Sequence, residues 1–89
     1  MEGYVGEVRE FAGNFAPVGW ASCDGQTLDI NNYTPLFAII GTTYGGDSQT
    51  HFKLPDWRPT NAQGVKVHGW EIGLPSKIIC VEGNFPIRP

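Results

Sequence analysis

Twelve glycines and seven prolines are spread through this chain of 89 residues and cut it into short pieces. Such punctuation favours a β-rich fold of short strands and tight turns over a helical bundle. No internal repeat, low-complexity tract or charge block interrupts it. The length predicts a single domain spanning residues 1–89, near the lower limit for one hydrophobic core. With 3 Trp, 3 Tyr and 5 Phe, the chain has the material for that core. A domain of this size retains on the order of 5 kcal/mol or less, so association with copies of itself or with a partner would add stability.

Charge excludes several functions. The net charge is −3, and the basic residues Arg9, Lys53, Arg58, Lys66, Lys77 and Arg88 form no run. The pattern predicts no nucleic-acid binding and no attachment to an anionic membrane. The apolar runs LFAII and IICV are too short to span a bilayer. The N-terminal MEGYVGEVRE has neither a basic n-region nor an apolar h-region, so no secretion signal is expected. Cys23 and Cys80 sit in apolar surroundings, which favours two buried thiols over a bridge.

Residues 4–11 alternate imperfectly and predict an opening strand, with Val8 and Phe11 turned inward. WASC at residues 20–23 predicts a second strand, and Asp24-Gly25 after it a tight hairpin turn. Gln26 to Ile30 predicts a short extended piece with Leu28 and Ile30 on one face. A helix is expected at about residues 34–40. Thr34 offers a cap and Pro35 suits the first turn. Leu36, Phe37, Ile39 and Ile40 form an apolar stripe, and Gly41 falls where a helix stops. Asn31 or Asn32 is the alternative cap, which also gives the sequon Asn32-Tyr33-Thr34 a structural reading. Residues 51–54 predict a strand, 57–75 are illegible, and KIICVEG at 77–83 is the most strand-like run. Prolines in the tail NFPIRP prevent it from continuing that strand. The resulting fold class is α+β: small, β-rich, with one short helix.

The loop GTTYGGD at residues 41–47 raises the question of a ligand. A phosphate loop needs Lys-Ser/Thr after its glycines and a helix that begins there. Here the helix ends instead. A calcium loop needs several oxygen ligands, and only Asp47 is acidic. The residues predict a turn, with Gly45 and Gly46 reversing the chain, Asp47 bonding local backbone, and Gly25 serving the earlier turn. His51 and His68 have no Cys or carboxylate at ligand spacing, so no zinc site is expected. Cys23, Asp24 and a histidine make a poor nucleophile set because adjacent Cys-Asp cannot supply orientation. Neither a catalytic set nor a cofactor is predicted. Trp20 reads as core, whereas Trp57 and Trp70 are balanced between packing and a sugar-stacking platform. Arg58 beside Asp56 predicts a local ion pair, or a contact to a neighbouring subunit's carboxylate.

GEVREFAGNFAPVGWASCDGQ (6–26), LFAIIGTTYGGDSQTHFKLPD (36–56) with the following Arg58, and IICVEGNFPIRP (78–89) occur in that order. In this the chain resembles the phage tail collar domain family of tail-fibre proteins from phages and related injection machines. The resemblance implies a non-enzymatic structural part in a virion or injection-particle tail. It also implies a homotrimer and contacts with other tail or baseplate proteins. A receptor or cell-surface glycan bound through Trp57 and Trp70 is the alternative. The interval Pro59–Lys77 is shorter than is usual in the family, and Trp57 and Pro59-Thr60 replace small or basic residues. Some tail fibres hold a metal through histidines beyond the collar motif. No His-x-His pair exists here, so no metal site carries over.

Overall fold

The computed structural model describes residues 2–86. Residues 87–89, the end of the NFPIRP tail, lie outside the described residues. The elements are β1 (Val8–Phe11), β2 (Trp20–Ser22), β3 (Thr27–Asp29), α1 (Thr34–Ile40), β4 (His51–Lys53), a 3-10 turn (Gly69–Ile72) and β5 (Ser76–Cys80). This is a small β-rich α+β fold with two antiparallel sheets, ordered β1-β5-β2 and β3-β4.

The last strand in sequence is the centre of the first sheet. β5 pairs with β1 in the register Val8↔Ile79 and with β2 in the register Trp20↔Cys80. A strand covered on both faces has no polar alternation, which is why IIC reads as an unbroken apolar run. Ile79 joins the main core with Val5, Cys23, Leu36, Phe52, Leu54 and Val81. Ile78 and Cys80 point the other way and pack with Trp20, Phe11 and Ala16. Arg9 lies over the Trp20 ring on that same side, 5.2 Å from its centroid. Cys23 and Cys80, both buried and free, belong to different clusters.

The opening segment departs from its expectation. The strand covers only Val8–Phe11, and residues 4–6 form a bridge and turn in which Tyr4 pairs with Asn84. Val8 and Phe11 do not both face inward. Three residues apart on a strand, they point to opposite sides. Phe11 packs in the second cluster, while Val8 is 38% exposed.

Asp24-Gly25 is no hairpin turn. Gly25 has φ 78°, but the strands on either side of it lie in different sheets. The segment runs on as a ladder against residues 52–57. The Gly25 N–H donates to Pro55 O, Leu54 N–H to Gln26 O, and Trp57 N–H to Cys23 O. Asp24 therefore sits opposite Asp56. The Gln26 amide closes the local chain, accepting from Asp24 N–H and donating to Ser22 O.

Helix α1 occupies the expected span, but Thr34 does not cap it. The capping position is Tyr33, with no side-chain cap, and the Thr34 hydroxyl donates to Ile30 O at 3.0 Å. Neither Asn31 nor Asn32 caps it; instead the Asp29 carboxylate accepts the Asn31 N–H. Leu36 is fully buried and Phe37 and Ile40 border the core, whereas Ile39 is 39% exposed. Two turns of helix are too few to stand alone, so this docking holds α1 in place. Gly41 ends it, donating its N–H to Phe37 O at φ 54°.

Candidate interaction surface

The loop after α1 is built from local bonds. Gly45 (φ 126°) and Gly46 (φ 118°) take conformations that side chains rarely adopt. Asp47 Oδ1 accepts the N–H groups of Gln49, Thr50 and His51, and Oδ2 accepts the Thr50 hydroxyl. The Thr50 bonds, followed by those from Gln49 and His51, hold the Asp47 carboxyl well below the usual carboxylate range. These four bonds all stay within its own loop, which makes the carboxylate a brace for the return.

The illegible segment 57–75 is organised by polar side-chain contacts, some close along the chain and some distant. Arg58 meets Asp56 in a two-pronged contact, Nε to Oδ1 and Nη2 to Oδ2, each 3.0 Å. That bond is the main reason the Asp56 carboxyl falls to about 2 and the Arg58 guanidinium rises. Lys66 Nζ reaches Asp56 O at 3.1 Å and its Oδ1 at 3.6 Å. His68 Nδ1 lies 3.4 Å from Asp24 Oδ2, and its ring stacks on Trp70 at 5.4 Å and 8°. The aspartates that face each other across the ladder are thus met by the Arg58 and Lys66 cations and by the His68 ring. Between these anchors, Asn61 Oδ1 accepts Gln63 and Val65 N–H, and Thr60 bridges Lys66.

Both histidines have carboxylate neighbours, contrary to the spacing argument: Asp47 for His51, at 3.4 Å, and Asp24 for His68. His68 directly precedes the 3-10 turn. Among the described residues, no group of three or more His, Cys, Asp or Glu gathers to hold a metal.

Cys23, Asp24 and His68 do converge, lining a cleft of about 10 Å³ with Ser76 and Lys77. That volume holds no more than a water-sized group. Burial pushes the Cys23 thiol up to about 11, with the Asp24 charge acting in the same direction. A buried, protonated thiol with no hydrogen bond to His68 among the described residues has no activated nucleophilicity.

Beside this cleft lies an open groove of about 620 Å³, lined by Val8, Asp56, Trp57, Arg58, Lys66 and Lys77. Trp57 is 41% exposed and meets Tyr44 edge to face at 5.7 Å. Trp70 is 44% exposed, and among the described residues no ring contact joins it to Trp57. Sequence reasoning singled out Trp57 and Arg58 here but missed Val8, Lys66 and Lys77. Only Asp56-x-Arg58 was a local signal; the lysines arrive from separate loops and strands.

The family model of the Phage Tail Collar Domain matches residues 6–61, from the turn before β1 through Asp56 and Arg58. The closing strand β5 lies beyond that match. Protein RhiB of Rhizobium leguminosarum bv. viciae is 34% identical over 58 residues, covering 62% of this chain and 24% of RhiB. The chain thus spans about a quarter of the length of the curated relative that it matches. No solved structure matches it significantly. With most of its length under the family model, the chain belongs to the phage tail collar domain family of tail-fibre-type structural modules.

Proposed function

We propose that this chain is a non-enzymatic component of a phage tail or of a phage-like contractile injection particle, acting by self-assembly and by docking to other tail or baseplate proteins. The family match over residues 6–61 carries this reading. Residues 1–89 then act as one collar-like module, as a homotrimer. The surface supports it: Val18 is 94% and Phe15 66% exposed, and Tyr4, Val65, Leu74 and Phe85 are also open. In a chain this small, covering such side chains against copies would add stability that one core does not supply.

Light scattering on the purified chain tests self-assembly. At tens of micromolar, an association free energy of about −8 kcal/mol or stronger populates the oligomer. The expected mass is that of a trimer; a strict monomer at that concentration contradicts self-assembly.

A second reading, recognition of a cell-surface glycan, is favoured by the exposure of Trp57 and Trp70. Aromatic side chains with one open side offer apolar area for a sugar ring at little entropic cost.

A further inference from the structure

We infer that the groove around Trp57 is a binding site for an anionic saccharide, one whose pyranose rings carry carboxylates. The inference rests on the recognition reading and assigns it a place and a ligand chemistry. Of the five described basic side chains, Arg58, Lys66 and Lys77 line this one groove, and among the described residues Asp56 is its one carboxylate. Three cations against Asp56 and the Glu10 carboxylate that holds Lys77 leave one net positive charge here, on a chain that carries −3.

The cations are positioned rather than loose. Arg58 is fixed by its paired bonds to Asp56 through Nε and Nη2, which leaves Nη1 unpaired among the described residues. Lys66 is tethered to the Asp56 carbonyl, and Lys77 to Glu10 at 3.2 Å. A carboxylate entering the groove meets donors that have already lost part of their rotamer freedom. Trp57, steadied by Tyr44, and Val8 supply an apolar wall. An aromatic platform with cations at its rim matches a sugar ring bearing a carboxylate. A neutral sugar would leave the cations unused, and an acidic peptide would leave the tryptophan unused.

The test uses the full chain, with binding followed through the Trp57 indole N–H by NMR. The probes are trigalacturonate, neutral maltotriose and hexaglutamate. Trigalacturonate is expected to shift the Trp57 signal, and to bind more weakly as salt rises through the physiological range. Lys77→Gln leaves the apolar wall intact and is expected to weaken binding about tenfold, the effect of one charge-assisted hydrogen bond. Equal binding of maltotriose overturns the anionic assignment while glycan recognition stands. If neither sugar binds, both readings fall. Hexaglutamate binding as tightly as trigalacturonate, without moving the Trp57 signal, makes the groove a protein-docking site and overturns the saccharide.

Discussion

Replacing Phe52 with alanine is expected to abolish cooperative unfolding of the isolated chain at room temperature. Phe52 is fully buried at the centre of β4, packs its ring on Phe37 at 5.4 Å, and joins the second sheet to the main core. Truncating a buried phenylalanine costs about 3–5 kcal/mol, the lost transfer energy plus the cavity left behind. A one-core domain has on the order of 5 kcal/mol or less to lose. The same change frees α1, because Leu36 and Phe37 dock on this cluster. Circular dichroism during chemical denaturation reads the outcome. A sharp transition with a midpoint near that of the unmodified chain would show that the core lies elsewhere.

Gly46→Ala is expected to disrupt the fold to a comparable degree, although the residue is exposed. A Cβ built there lies 2.5 Å from Phe52 Cα and 2.6 Å from His51 O, both backbone atoms of β4 that cannot swing aside. The φ of 118° adds strain for any side chain. Overpacking costs about 1–3 kcal/mol, and a sparsely populated backbone conformation about as much again. Gly41, in the same motif, makes the internal control. A Cβ there meets nothing within 4 Å, so Gly41→Ala carries only the backbone cost of φ 54° and ψ −140°, about 1–3 kcal/mol, with no clash added. Thermal melts of the variants separate the cases. Equal losses at Gly41 and Gly46 would contradict the close approach of the loop to β4.

What the sequence made legible follows from how far each signal reaches along the chain. α1 and β5 are encoded within a few residues: Pro35 and Gly41 bound one, and the apolar run at 78–80 is the mark of the other. Leu28 and Ile30 both meet the core, as their spacing of two requires. Asp24-Gly25 misled because the tendency of Asp-Gly to turn is local. The partner that straightens this segment, residues 52–57, lies about thirty residues on and is invisible to propensity. Segment 57–75 had no periodicity to read because side-chain contacts hold it, from Lys66 to Asp56 and from His68 to Asp24. For the groove the same holds: Trp57 and Arg58 stand together in the sequence, but Val8, Lys66 and Lys77 join them only through β1, a loop and β5.

GTTYGGD therefore contributes geometry rather than chemistry. Gly41 stops a helix, Gly45 and Gly46 allow the return to lie against β4, and Asp47 braces the loop. Together with FKLPD and Arg58, it sets the platform from which Trp57 projects. The proposed function puts this platform in an assembled particle. Quantitative mass spectrometry of purified tail particles, from cells expressing this chain, measures that directly. The chain is expected within the particle at a fixed copy number divisible by three. A chain confined to the soluble fraction and missing from intact particles would contradict it.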